Sequence, residues 1–168
     1  PFVGAGVLAS AIAMDKDITK RLLRDAGIPI GKFLVFHAGD KISFETTKKG
    51  LGLPMFVKPA NLGSSIGVSK AKNKKQFYTA IKEAFRYDSK ILIESFIEGR
   101  ELTTAVLGND RPIVSGLCEV LTGREFYDYL AKYSDEHGAT LVIPAQNISP
   151  HILKEARGLA AKVYKTLA

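Results

Sequence analysis

Between residues 57 and 70 the chain reads VKPANLGSSIGVSK. Lys58 closes an apolar run, Pro59 follows, and Gly63, Ser64, Ser65, Ile66 and Gly67 form a loop of mostly small side chains. Consecutive backbone N–H groups left bare by such residues, two hydroxyl donors and a neighbouring ammonium together suit a polyphosphate. An ammonium at the end of a buried strand costs on the order of several kcal/mol unless an anion or hydrogen-bond acceptors compensate it. The loop lacks the Gly-Lys-Ser/Thr of a Walker A segment and does not open a helix as a dinucleotide-binding loop would, so a plain hairpin turn is the alternative reading. Residues 91 to 101, ILIESFIEGRE, form a second candidate. A strand running into an exposed connector presents alternating backbone donors and acceptors to an adenine edge, and Glu101 could accept ribose hydroxyls. Glu94 interrupts an apolar run and needs a partner. Surface pairing of either glutamate with Arg100 or Lys90 is the alternative.

These groups need elements to hold them. A small-residue apolar helix is expected over residues 7–14 and a second helix over 18–26, capped by Asp15 or Asp17 and ended by Gly27 and Pro29. A strand over 33–36 follows, then a weakly marked helix within 40–52. Strands over 55–58 and 67–71 flank the glycine-serine loop. Asn73 caps a helix with Phe77, Ala80, Ile81, Ala84 and Phe85 on one face, and residues 90–96 form the next strand. A turn at 98–100 leads to an alternating strand over 101–107, whose Gly-Asn-Asp turn begins a hairpin into 112–118. Residues 119–138 have no clean period and are expected to form a long loop, which at this length is usually functional. A strand over 140–143 precedes a helix with Ser149 as N-cap and Pro150 in its first turn. Strands arriving both in hairpins and beside helices make an α+β pattern of two lobes.

The chain has 168 residues, 46% of them hydrophobic and 24% charged, which is ordinary for a globular protein. Its 24 basic against 17 acidic residues leave a net charge of +7. No arginine-rich block or interleaved aromatic stripe accompanies that charge, which argues against an RNA module and for solvated helix faces. A single cysteine, Cys118, excludes an internal disulfide framework and suits a reducing compartment, as a buried small hydrophobe. No apolar run is long enough for a bilayer and the start does not read as a signal peptide, so the cytoplasm, with no membrane partner, is the default. His37, His137 and His151 are scattered without ligand spacing and read as surface residues. No Ser-His-acid constellation is present. The absence of an initial Met and a helical pattern running to the last residues suggest an internal piece of a longer protein.

The series GVLASAIAMDK, VKPANLGSSIGVSK, ILIESFIEGRE and FYDYLAKY, in this order, resembles the D-alanine–D-alanine ligase family of the ATP-grasp superfamily, over essentially the whole chain. The resemblance implies an ATP-grasp fold with nucleotide between two α+β lobes. It also implies that one D-alanine carboxylate is phosphorylated by ATP and that the amine of a second D-alanine displaces the phosphate, for peptidoglycan synthesis. Carried over residue by residue, Lys16 and Lys58 hold the ATP phosphates and Ser64 positions the first substrate and its loop. Ser65, Ile66 and Gly67 complete the phosphate loop with Gly63. Glu94 and the backbone of Ser95 and Ile97 meet adenine, and Glu101 meets ribose. Lys132 reaches the γ-phosphate from a mobile lid, and Tyr133 hydrogen-bonds towards Ser64 when the lid closes. Tyrosine there, in place of the histidine of the related D-alanyl-D-lactate ligases, favours an amine nucleophile.

By the same resemblance residues 1–16 are a leading helix from an N-terminal domain, 17–95 the small lobe, and 96–168 the start of the large lobe with its lid loop at 119–138. The Mg2+ or Mn2+ ligands, two acidic residues and an asparagine, and the arginine that stabilises the transferred phosphoryl group are expected outside this sequence. Asp128, Asp135 and Glu136 belong to the lid and are not assigned to metal. The chain alone is expected to be inactive, and the longer protein to be a homodimer that binds no nucleic acid. Another ATP-grasp ligase for a different carboxylate and amine, or a non-catalytic nucleotide- or nucleic-acid-binding module, are the rival readings.

Overall fold

A computed structural model describes residues 3–122 and 139–167. Helix α1 (Val7–Met14) is built of small apolar residues and buries none of them within this chain, with Val7 90% exposed. Asp15 then breaks into extended backbone and caps α2 (Lys16–Asp25), its carboxylate accepting from the N–H of Asp17 at 3.0 Å and of Ile18 at 3.2 Å. Gly27, at φ +65°, supplies the left-handed residue that ends this helix.

Four strands form one antiparallel sheet in the order β1-β4-β2-β3: β1 (Phe33–His37), β2 (Met55–Pro59), β3 (Ser69–Ala71) and β4 (Lys90–Ser95). The two-residue period of a strand divides the two central members into faces. Met55, Val57, Ile91 and Ile93 are fully buried and pack with Phe44, Phe77, Ala80 and Ala84 of α3 (Phe44–Leu51) and α4 (Lys74–Ala84). Both helices begin at side-chain caps, Ser43 Oγ accepting from Thr46 N–H and Asn73 Oδ1 from Gln76 N–H. The Phe44 and Phe77 rings meet edge to face at 5.3 Å, the preferred aromatic arrangement. The opposite face carries Phe56 and Lys58 from β2 with Lys90, Leu92 and Glu94 from β4, and it is this face that positions the site.

The expected strand over 101–107 is two short strands instead. β5 (Leu102–Thr103) pairs with β8 (Cys118–Thr122), and β6 (Val106–Leu107) pairs with β7 (Ile113–Val114). The ladder breaks between them because Ser115 intervenes: its Oγ accepts from Ala105 N–H at 3.0 Å and meets Thr104 Oγ1, also at 3.0 Å. A second correction concerns residues 119–122, expected in a loop, which form most of β8. β8 pairs antiparallel with β9 (Ala139–Val142), completing a β5-β8-β9 sheet. Too few residues lie between Cys118 and Thr122 for a period to show in the sequence. Residues 123–138 of the expected lid lie outside the described residues. The chain continues into α5 (Pro150–Leu167), capped by Ser149 as expected.

Candidate active site

The lysine-bearing face is assembled by two helical residues and two strands. Lys16, at the first position of α2, is tied to the loop by its own backbone, N–H to Ala60 carbonyl at 3.0 Å. Its ammonium donates to the same carbonyl at 3.2 Å and to the Leu62 carbonyl. Burial pushes the Lys16 pKa down and the nearby positive charge of Lys58 lowers it further, with Glu94, Asp88 and Asp15 only partly offsetting this. Two cations close enough to repel each other, beside a loop, form a place where an anion is favoured.

The loop between them has an unusual backbone. Ser64 and Ser65 lie consecutively in the left-handed region, at φ +51° and +60°, and the turn is closed by Ile66 N–H on Gly63 carbonyl at 3.1 Å. A second bond, Val68 N–H to Ser65 carbonyl, follows at 3.1 Å. Two non-glycine residues held there mark a constrained segment of the kind found around ligands. Gly67, at φ +70°, has no room for a side chain: a Cβ would lie 2.8 Å from both Pro59 Cγ and Tyr87 Cδ2. The base of the loop is pinned by Asp88, whose carboxylate accepts from both the N–H and the side-chain amide of Asn61 at 2.9 Å. Burial raises the Asp88 pKa, but these bonds and those from Lys90 and Ala60 N–H outweigh it and hold the carboxyl below its ordinary value.

Beyond the loop, Glu94 lies centrally in the sheet, opposite Phe33 of β1 and Phe56 of β2. Its carboxylate is 12% exposed and lies 2.6 Å from Lys58 Nζ through Oε2, and 3.4 Å from Lys20 Nζ through Oε1. Oε1 is buried and accepts no hydrogen bond, so the Lys20 approach is within ion-pair reach but lacks hydrogen-bond geometry. The surface partner considered for Glu94, Lys90, is ruled out by distance, since four residues along a strand span roughly 13 Å. Lys90 instead bridges Asp15 at 2.6 Å and Asp17 at 3.5 Å, clamping the start of α2 to the start of β4.

The remaining expected residues sit as follows. Ser95 uses its N–H on Lys32 carbonyl at 3.0 Å and its hydroxyl on Leu51 carbonyl at 2.9 Å, so its amide proton is not open to a nucleobase. Ile97 is 69% exposed on the connector, above Gly31, where a Cβ would come within 2.9 Å of its Cδ1. Glu101 is exposed at the start of the next sheet, its carbonyl accepting from Val120 N–H at 2.9 Å. Arg100 does not pair with Glu94 or Glu101 but grips Glu119 with two 2.6 Å bonds, and it also donates to the Gln146 carbonyl. Lys132 and Tyr133 lie outside the described residues. Cys118 is half-buried rather than buried, its thiol near the Glu119 carbonyl at 3.7 Å. His37 and His151 are exposed as expected, whereas His137 lies outside the described residues.

Sequence reasoning missed Lys20, which stands one helical turn after Lys16 on α2; the four-residue spacing was its signal. It also missed Phe96, whose ring lies 6.2 Å from Phe56 and 4.1 Å below Lys70 Nζ. A cleft of about 830 Å3 lies elsewhere, among α1, β6 and α5, lined by Val7, Leu8, Val163 and Tyr164 among others. It has no lysine or arginine in its wall and so lacks the cations expected of a polyphosphate site. Among the described residues no group of three or more His, Cys, Asp or Glu side chains could hold a metal ion, and no helix is long and apolar enough to cross a membrane.

Comparison with known proteins agrees with this fold. The family described as D-ala D-ala ligase C-terminus matches residues 22–168. The D-alanine–D-alanine ligase of Oceanobacillus iheyensis is 52% identical, and D-alanine–D-alanine ligase A of Escherichia coli K12 is 50% identical; each match covers 99% of this chain and 46% of the relative. Among solved structures, the VanG D-Ala:D-Ser ligase of Enterococcus faecalis superposes with a TM-score of 0.87 at 34% identity, covering 99% of this chain and 48% of that one. The D-alanine-D-alanine ligase of Coxiella burnetii gives 0.81 at 31% identity. The chain thus spans about half the length of the curated relatives it matches. With its antiparallel sheet, its lysine-flanked loop and these likenesses, the chain belongs to the D-ala D-ala ligase C-terminus family and has an ATP-grasp fold.

Proposed function

We propose that this chain forms the nucleotide-binding part of an ATP-dependent D-alanine–D-alanine ligase, which joins two D-alanines through an acyl phosphate for peptidoglycan synthesis. The observation that carries this is the convergence of Lys16, Lys58 and the constrained 63–67 loop on one face, with Glu94 at its far end. ATP brings the phosphoryl group, and the reaction moves it towards a carboxylate, so anion approaches anion. Cations and oriented N–H donors offset that repulsion. In this reading Lys16 and Lys58 neutralise the phosphates, the loop N–H groups orient them, and Ser64 positions the first substrate and its loop. Glu94 with the backbone of Ser95 and Ile97 receives adenine, Ser95 through its carbonyl because its N–H is already bonded to the Lys32 carbonyl. Lys132 and Tyr133 act from the lid, and closure keeps water from the acyl phosphate.

The chain is read as a small lobe over 17–95 and the start of a large lobe from residue 96. The whole protein is read as a cytoplasmic homodimer that takes Mg2+ or Mn2+ on residues other than those described. D-Alanine is preferred as second substrate because the relatives that are 50% identical or more are named for it. The test is phosphate release on D-alanine in the protein that carries this chain. Lys58→Ala should lower turnover by at least about a hundredfold, the usual loss for one preorganised donor. Turnover near that of the native protein would remove the assignment, and a preference for another carboxylate or amine would move it to the rival ligase class.

A further inference from the structure

One carboxylate on this face has two cations, and the proposed function uses only one of them. Lys58 stands one residue before the end of β2, next to the loop, and holds Glu94 Oε2 at 2.6 Å. Lys20 approaches Oε1 from α2 at 3.4 Å, its side chain 18% exposed and its ammonium 5.2 Å from the centre of the Phe33 ring. Phe33 is the register neighbour of Glu94 on β1. Lys20 is therefore steadied by a helix and an edge strand that are not part of the phosphate loop.

If Lys58 is to meet a phosphate it must loosen its hold on Glu94. A carboxylate this buried is strongly disfavoured without a counter-charge, so a lone lysine partner would not be released easily. Oε1 is a buried acceptor with an unused lone pair and an ammonium just outside bonding geometry. We propose that Lys20 is a positioning residue for nucleotide binding: it is the standing counter-cation of Glu94, and its presence lets Lys58 exchange that carboxylate for a phosphate. The inference rests on the reading of Lys58 as a phosphate-binding residue.

The exchange is needed for a ligand with phosphates and not for one without, which separates this role from a structural one. In the protein that carries this chain, binding of AMP-PNP with Mg2+ and of adenosine is titrated for Lys20→Met, Lys20→Gln and Lys58→Ala. Either neutral Lys20 variant should weaken AMP-PNP at least about tenfold, within the usual range of coupling between sites, and change adenosine less than about threefold. Equal losses for both ligands, or no loss for either, overturn the proposal. A Lys58→Ala protein with undiminished AMP-PNP affinity overturns the proposed function itself. Weakening by Lys58→Ala with native affinity in the Lys20 variants removes only the present inference. Should neither neutral variant unfold cooperatively, Lys20→Arg reads the same point: it keeps the charge and should hold AMP-PNP within about threefold of native, and a loss beyond about tenfold overturns the role.

Discussion

At the scale of single residues, the phosphate loop depends on backbone that side chains disfavour. Gly67 combines φ +70° with two neighbours that a methyl group would meet at 2.8 Å. Pro59 is among the most deeply buried residues of the chain, so it cannot yield easily. Gly67→Ala should lower unfolding free energy by about 1–3 kcal/mol, as overpacking does, with the strained φ adding to it. Urea denaturation followed by circular dichroism measures this, and a midpoint equal to that of the native protein would contradict the crowding. Gly63 has no such neighbour, which separates two glycines that look alike in the sequence.

Among elements, α2 is the one whose placement sets the site, because it brings Lys16 and Lys20 to the sheet. Asp15 holds its first turn in two ways, as N-cap and as partner of Lys90. Burial raises the Asp15 pKa, but the Lys90 hydrogen bond and charge and the N–H groups of Ile18 and Asp17 prevail, and its carboxyl is held below the ordinary value. Lys90 is shifted the other way: burial lowers it, and the bonds to Asp15 and Asp17 prevail and raise it. A carboxyl whose folded pKa lies below its unfolded value contributes stability that is complete above the unfolded value and is lost as pH falls through the folded one. The Lys90 contribution is complete below the unfolded lysine value and is lost as pH rises through the raised folded one. The clamp thus works at neutral pH and weakens in acid from about pH 4 downward. Asp15→Asn keeps a good cap and removes the charge, so it isolates the ion pair. We expect a loss of about 1–2 kcal/mol at pH 7 and a shallower fall in stability as pH is lowered below the ordinary carboxylate value. Urea titrations at several pH values measure both; an acid limb as steep as that of the native protein would show that the pair does not carry it.

For the whole molecule, α5 ties the second group of strands together. Arg157 donates to Val114 carbonyl at 2.7 Å, and the Tyr164 hydroxyl donates to Gly108 carbonyl at 2.5 Å, at the turn joining β6 to β7. Two-residue strands have little ladder of their own, so these side chains supply much of the local restraint. Arg157→Met should cost about 1 kcal/mol and speed amide exchange in β6 and β7, leaving β2 and β4 at their native protection. Hydrogen exchange read by mass spectrometry decides this, and uniform acceleration over both sheets would instead mean a global loss.

By itself the sequence determined the bare loop and its flanking lysines, the Asn73 and Ser149 caps, and nearly all helices and strands up to residue 95, while the structure chose Asp15 over Asp17 as the cap of α2 and supplied Ser43 as the cap of α3. Each of these depends on neighbours within about one helical turn or one strand period, which lie on the page in order. Only the tertiary structure decided that Glu94 takes Lys58 and Lys20, that Arg100 takes Glu119, and that Lys90 takes Asp15, 75 positions away. It also split residues 102–107 between two partner strands and drew 119–122 into a sheet. The choice of ion-pair and ladder partners depends on which strands lie side by side, and strand order follows from burying the whole apolar set at once, which no local window contains.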